Sequence, residues 1–218
     1  MTTRAKDGIV KPRLQPTLLL THVEPKTFKQ ALSNSTWSAA MQIEYNALLR
    51  NGTWSLVRLP PSRTAIGCKW VFRVKENPDG TVQKYKAHLV AKGFNQQFGF
   101  DYNETFAPVI KPVTLRLILT LALTHHWPLQ QLDINNAFLN GTLDEEVYMT
   151  QPPGFETSDK KFVCKLHKAI YGLKQAPRAW FEKLKLTLLQ FNFQASKCDP
   201  SLFVYSHANN VIYLGICR

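Results

Sequence analysis

The chain has 218 residues, 44% hydrophobic and 11% aromatic, with a formal net charge of +12 at pH 7 and a pI of about 9.6. That apolar fraction supports a packed core and excludes a disordered chain, and no apolar run reaches the length of a membrane span. The excess of cations suits a polyanion partner, nucleic acid before an anionic membrane.

Residues 1–25 carry Arg4, Lys6, Lys11 and Arg13 against Asp7, interrupted by Pro12, Pro16 and Pro25. They show no periodicity and read as a basic linker or tail. Leu18-Leu19-Leu20 is too short, and too close to Pro16 and Pro25, for a signal peptide. In residues 36–50, Trp37, Met41, Tyr45 and Leu48 fall at helical spacing, with Ser35 or Thr36 as the cap and Asn51-Gly52 as the stop. Trp54 to Val57 reads as a short strand ended by Pro60-Pro61.

Residues 66–94 read as a β-hairpin. Two β-rich runs, Cys68 to Val74 and Thr81 to Val90, flank Asn77-Pro78-Asp79-Gly80, where Pro fixes φ and Gly accepts a positive one. Between residues 62 and 92 seven bases (Arg63, Lys69, Arg73, Lys75, Lys84, Lys86 and Lys92) accompany two acids, Glu76 and Asp79. Such a hairpin is either a phosphate clamp or an edge guarded by lysine. Residues 113–125 predict a buried helix, capped by Thr114, with a narrow polar stripe of Arg116, Thr120 and Thr124. It is expected to pack beneath a sheet carrying Asp133.

Leu132 and Ile134 alternate with Asp133, predicting a strand whose carboxylate points away from both. An acid on a strand end, a small-residue turn and then Phe138 suit a metal-bound phosphate over the carboxylate and a sugar on the ring. On residues 132–139 alone, a strand-end Asp capping the turn is the commoner reading.

Further on, Asp144-Glu145-Glu146 reads as an acidic rim, Val147 to Met149 and Phe162 to Leu166 as strands, and 178–190 as a helix with Trp180, Leu184 and Leu188 buried and Phe181 beside them. Between Lys160 and Lys185 eight bases accompany one acid, Glu182. The turn Tyr171-Gly172-Leu173-Lys174-Gln175 before that helix can hold phosphate through backbone N–H groups, although it lacks P-loop spacing. Leu202 to Tyr205 and Val211 to Leu214 predict a last hairpin. The four cysteines, Cys68, Cys164, Cys198 and Cys217, show no C-x-x-C spacing, which argues against zinc and for a reduced intracellular chain.

Several segments then line up in order: Trp37…Met41…Glu44…Leu48…Asn51…Thr53-Trp54, Gly67-Cys68-Lys69-Trp70-Val71-Phe72, Tyr85-Lys86-Ala87, Leu89-Val90-Ala91-Lys92-Gly93-Phe94, Glu104-Thr105-Phe106-Ala107-Pro108-Val109, Leu132-Asp133, Asn136-Ala137-Phe138-Leu139 and Tyr171 to Trp180. Over roughly residues 24–216 this pattern resembles the Ty1/copia-type reverse transcriptase of LTR retrotransposon Pol polyproteins. The resemblance implies an α+β fold with an antiparallel sheet and packed helices. Residues 1–25 would be a linker and 26–218 a partial reverse transcriptase domain, with a fingers hairpin at about 66–94 and palm at about 105–218.

It further implies two-metal nucleotidyl transfer with Mg²⁺ or Mn²⁺, an RNA template, a DNA primer and dNTP as partners, and no membrane. The setting would be intracellular: cytoplasmic, in a virus-like particle, or nuclear. Asp133 matches the first metal-binding carboxylate, and the Ile134 carbonyl assists it. Phe138 matches the aromatic on the sugar. Lys69, Lys86, His88 and Lys92 on the hairpin, with Tyr171, Gly172, Lys174 and Gln175 on the turn, would meet nucleotide and template.

Two departures stand out. His88 occupies a position where the resemblance implies arginine, and its bland reading is an exposed residue. After Val211 to Leu214 the chain gives Gly215-Ile216-Cys217-Arg218 and ends, so the resemblance implies a palm truncated before its Tyr-x-Asp-Asp turn. These 218 residues are therefore expected to be inactive as a polymerase. The alternatives are a basic nucleic-acid-binding module without enzymatic activity, or a decayed relic.

Overall fold

The structure is a computed structural model, and it describes residues 24–134, 136–208 and 210–217. The expected basic tail lies outside the described residues up to position 23. Two helices open the fold: a short α1, Phe28–Leu32, which the sequence did not suggest, and α2, Ser35–Arg50. The cap of α2 is Asn34, where Ser35 or Thr36 was expected. Asn34 has extended backbone, and its side-chain oxygen accepts from Thr36 N at 3.0 Å and Trp37 N at 3.2 Å. Ser35 is already helical, so it cannot fill the half-in position. Trp37, Met41 and Leu48 are buried, as the stripe predicted. Trp37 meets Phe72 and Tyr85 edge-on, with centroids 5.4 and 4.9 Å apart.

After β1, Trp54–Arg58, comes the predicted hairpin: β2, Cys68–Glu76, and β3, Val82–Ala91. Its register pairs Trp70 with Leu89 and Phe72 with Ala87 on the face toward the core. Strand alternation puts Lys69, Arg73, Lys75, Lys84, Lys86 and His88 on the other face. Ile66 and the Trp70 indole tie the hairpin to the body. Ile66 N donates to Tyr148 O and Trp70 Nε1–H donates to Pro153 O at 2.9 Å.

The body is a second antiparallel sheet, ordered β1, β5 (Phe162–Lys168) and β4 (Thr142–Met149). β4 is bulged between Thr142 and Val147, and Asp144, Glu145 and Glu146 fall in that bulge. Cys164 is fully buried in this sheet and Cys68 nearly so in the hairpin. Burial pushes their thiols up, to about 12 and about 11 respectively. Helix α4, Ala176–Gln190, follows the Tyr171–Gln175 turn. Phe181 and Leu188 are its buried residues besides Ala176, while Trp180 and Leu184 are half-buried. Its stripe is thus rotated toward Phe203, which is fully buried in the last sheet.

That last sheet has three strands, β6 (Gln194–Ala195), β7 (Leu202–His207) and β8 (Asn210–Gly215). Asp133 does not lie on it. Residues 127–134 have no regular structure, and Leu132 and Ile134 are exposed. A period-two pattern makes a strand only where a neighbouring ladder accepts its backbone, and none is offered to 132–134 among the described residues. Helix α3, Pro112–Thr124, is likewise not the buried element expected. Ala122 is its one buried residue, and Val113 and Leu123 are about 70% exposed. Contacts hold the helix at its ends. Ile110 N donates to Ile216 O before it, and Trp127 stacks on Tyr213 after it, with centroids 5.5 Å apart. Thr120 and Thr124 turn their hydroxyls back onto the carbonyls of Arg116 and Thr120. No helix among the described residues is long and apolar enough to cross a membrane.

The start of α3 depends on Asp199, since Thr114 does not cap it. Lys111 is the N-cap residue and contributes no side-chain cap; its backbone N–H donates to Asp199 Oδ2 at 3.0 Å. Ser201 N and Oγ donate to Asp199 Oδ1. Burial raises the Asp199 carboxyl, but the hydrogen bonds from Ser201, Lys111 and Thr114 outweigh it and hold the group well below its ordinary value of 3.8. Asp199→Ala is expected to lower stability by about 1.5–3 kcal/mol, the scale of one hydrogen bond to a charged group, as a reduced urea midpoint at pH 7. Because the folded value is depressed, the contribution is present above about pH 3.8 and disappears as pH falls below it. Urea midpoints of variant and parent should converge in acid.

Candidate functional site

The open face of the β2–β3 hairpin sets like charges directly opposite one another: Arg73 faces Lys86, and Lys75 faces Lys84. Such pairs destabilise a hairpin unless anions sit among them. Lys69, Arg73, Lys75 and Lys84 are exposed, and Lys86 is half-buried. The Lys86 ammonium titrates below its ordinary range, first because of burial and then because of Lys75 and Lys84, with Asp133 opposing. Glu24 offsets part of the repulsion through Arg73 Nη1 at 3.1 Å, and its other oxygen accepts from Val74 N.

Asp133 is near enough for its charge to bear on Lys86, although it sits in an exposed, irregular segment. Its carboxylate also acts on Tyr171. The Tyr171 hydroxyl is pushed up, mainly by burial and then by Glu44 and Asp133. Tyr171 is the hub of the cluster. Its ring lies edge-on to Phe138 at 4.7 Å and tilted to His88 at 5.8 Å. Phe138 is presented by a 3-10 turn, Ala137–Asn140, that starts after the left-handed Asn136 at φ 53°. His88 is not simply exposed, since its Nδ1 lies 3.3 Å from Glu44 Oε1 of α2. The structure thus gathers Phe138, Tyr171, His88 and Glu44 in one place, with Lys86 on the same hairpin face and Asp133 near enough to bear on Lys86 and Tyr171. Sequence reasoning gave Glu44 no part in it, although an acid inside the stripe Met41, Tyr45 and Leu48 was a readable signal.

The other expected residues do different work. Lys174 N donates to Gln96 Oε1 at 2.8 Å, and Lys174 Nζ reaches Gln96 O and Tyr102 Oη at 3.2 Å each. Gln175 is buried, accepts from Gln96 Nε2 and donates to Asp101 O. The turn expected to offer N–H groups to phosphate is instead occupied by loop 96–102, so Lys174 and Gln175 hold that loop. Gly172, at φ +91°, sits backbone-to-backbone on the end of β3, where Ala91 N donates to Tyr171 O. Lys92 lies along Gly67, with its N–H on Gly67 O. Ile134 is 44% exposed.

The donor set does not fit a two-metal centre. Mg²⁺ demands several hard oxygen ligands in near-octahedral array, and no group of three His, Cys, Asp or Glu among the described residues could hold a metal ion. Asp144, Glu145 and Glu146 line a separate cleft of about 450 Å³ with Arg63 and Arg178. Glu146 there is paired with Arg63 and Lys165. Asp199 is fully engaged as described.

The chain matches the family model for reverse transcriptase (RNA-dependent DNA polymerase) over residues 51–217. It is similar to the Retrovirus-related Pol polyprotein from transposon RE2 of Arabidopsis thaliana, 52% identical over an alignment that covers 98% of this chain and 15% of that protein. It is also similar to the corresponding polyprotein from transposon TNT 1-94 of Nicotiana tabacum, 42% identical over 93% of this chain and 16% of that protein. The Transposon Ty1-NL1 Gag-Pol polyprotein of Saccharomyces cerevisiae is 33% identical over 67% of this chain and 8% of that protein. The chain thus spans about one-sixth or less of the length of these relatives.

The tightest approach in the site is testable by adding one carbon. A Cβ at Gly93 would stand 1.9 Å from Gly172 O, and one at Gly172 would stand 2.1 Å from Ala91 O. Gly93→Ala is expected to cost about 1–3 kcal/mol or more in thermal unfolding, as overpacking against backbone. Gly52→Ala, at φ +61° with open space around it, tests the conformational cost alone and should cost about 1 kcal/mol.

Proposed function

The chain belongs to the reverse transcriptase (RNA-dependent DNA polymerase) family, with relatives of Ty1/copia type, and from that premise we propose that it supplies the nucleotide-covering hairpin and part of the catalytic floor of such an enzyme. In this reading residues 66–94 act as fingers over the nucleotide. Asp133 is a palm carboxylate, Phe138 packs on the sugar, and RNA template, DNA primer and dNTP are the partners. The observation that carries the reading is the facing of like charges, Arg73 with Lys86 and Lys75 with Lys84, over the Asp133–Phe138–Tyr171 cluster. A phosphate chain laid there relieves the repulsion and gains charge-assisted hydrogen bonds. Phe138 and Tyr171 offer apolar ring surface beside those cations.

Binding and chemistry separate within these 218 residues. Polyanion binding needs only the cations. Divalent-metal chemistry supplies charge neutralisation at the triphosphate in this family, and the carboxylates described above do not assemble a set for it. The 218-residue chain by itself therefore acts as a nucleic-acid-binding module.

Anisotropy with a labelled primer–template duplex should give binding that weakens with salt, with log K falling by about 0.9 per log salt for each phosphate contact. The double charge reversal Lys75→Glu with Lys84→Glu should flatten that slope by about two contacts. A salt-independent response, or no binding at low salt, defeats the reading. Primer extension on an RNA template with excess dNTP and Mg²⁺ or Mn²⁺ should give no product. Extension that disappears in Asp133→Asn would show that one carboxylate suffices and the separation is wrong.

A further inference from the structure

A sheet edge is a row of unpaired backbone N–H and C=O groups, and folded chains guard it with charge, proline, a bulge or brevity. Among the described residues, every edge strand but one is guarded in this way. β1 ends in Arg58 ahead of Pro60-Pro61, β4 is bulged and carries Asp144, Glu145 and Glu146, β6 has two residues, and β2 and β3 carry lysines. β8 differs. It holds no charge, no proline and no break in its register with β7, and its Val211 and Ile212 are exposed. The inner ladder fixes which of its groups point out. Ile216 N donates to Ser201 O on the β7 side. By antiparallel alternation Leu214 and Ile212 also turn inward, while Val211, Tyr213 and Gly215 turn their N–H and C=O outward. Among the described residues no strand pairs with that outer side.

The surface beside this edge is apolar. Trp127 stacks on Tyr213, and a Cβ at Gly215 would stand 2.5 Å from Ile110 Cδ1, so both ends of α3 rest on β8. Between those ends Val113, Leu117 and Leu123 are exposed. Fully covering a Val, Leu or Ile removes roughly 60–120 Å² from water at about 25 cal/mol per Å². What these residues expose together with Val211, Ile212 and Trp127 is then on the scale of the apolar core of a standard interface, which takes roughly 800 Å² from each partner. Charge points to the same face. Of the 27 lysines and arginines, none falls in residues 117–134 or 198–217. Two copies of a chain with a net charge of +12 repel each other, and a contact made through these stretches sets none of their residues as cation against cation.

We propose that β8 and the exposed side of α3 form the interface of a two-fold homodimer, in which β8 pairs antiparallel with β8 of a second copy. Centred on Tyr213, the pairing is self-complementary. Tyr213 meets its own copy, Val211 meets the partner's Gly215, and the outward N–H and C=O groups of all three residues are satisfied. The dyad stands normal to the sheet, so like faces stay together, and the two Tyr213–Trp127 stacks lie on one side of a six-stranded sheet. An isologous contact of this kind closes at two chains. It uses no residue of the β2–β3 hairpin and does not depend on nucleic acid.

Sedimentation of the nucleic-acid-free 218-residue chain, from about 1 to about 200 μM, tests the dimer. A monomer–dimer equilibrium is expected. It should tighten as salt screens the repulsion between copies, the opposite of the salt response of nucleic-acid binding. Val211→Pro removes one outward N–H per copy without touching a hydrogen bond to β7, and Val211→Lys puts a cation on the edge of each copy. Each should weaken the dimer roughly tenfold or more, as should Leu117→Lys on α3. Ile43→Lys adds the same charge at an exposed apolar residue of α2 and should leave the dimer nearly unchanged. Thermal melts of each variant establish that the fold is kept, and if Val211→Pro does not fold, Val211→Lys decides. A chain that stays monomeric at the highest concentration in high salt overturns the proposal. So does a dimer that survives the Val211 variants, or one that Ile43→Lys weakens equally. Growth past two chains without saturation overturns the closed pairing, and a dimer indifferent to Leu117→Lys removes α3 from it.

Discussion

Two backbones touch at Gly93 and Gly172, so closely that neither position has room for a single methyl group. This contact seats the hairpin on the rest of the molecule. Around it, Ala91 N–H donates to Tyr171 O, Gln96 pairs with Gln175, and Lys174 closes on Gln96 and Tyr102. Fixing the backbone at Tyr171 and Gly172 fixes the Tyr171 ring, and the ring decides where Phe138 and His88 stand. A backbone contact suits this role because it carries no rotamer freedom. The geometry of the cluster is inherited from the chain path itself.

The hairpin face and the β4 bulge show opposite electrostatic strategies. At the bulge, Glu146 is paired with Arg63 and Lys165, so part of its charge is neutralised within the protein. On the hairpin the cations oppose each other across the strands, and the anions near them, Glu24 and Asp133, come from outside the hairpin. A surface that stays repulsive in the free protein is held in place by packing on its other face. There Trp37, Trp70, Phe72 and Leu89 are buried. Apolar burial of this kind, at roughly 25 cal/mol per Å², is what allows the open face to keep charges that exposed strands usually disperse.

Much of this was legible in the chain. The turn Asn77 to Gly80 and its two β-rich flanks determined the hairpin, because turn chemistry and period-two patterning are local. The stripe Trp37, Met41, Tyr45 and Leu48 determined α2 and its buried side for the same reason. Ordered motifs spread over most of the chain carry the family resemblance without any geometry. What only the tertiary structure decided were questions of partnership. Leu132 and Ile134 alternate as a strand should, yet no ladder meets them among the described residues and they remain exposed. Helix α3 is apolar almost all round, yet Ala122 is its one buried residue. Lys174 has the residue type and place of a phosphate ligand, yet its hydrogen bonds go to Gln96 and Tyr102. Glu44 and His88 lie 44 positions apart and meet at 3.3 Å. Propensity and period are properties of a segment by itself. Burial, pairing and the partner of a charge belong to two segments at once, and those are set by how the chain comes back on itself.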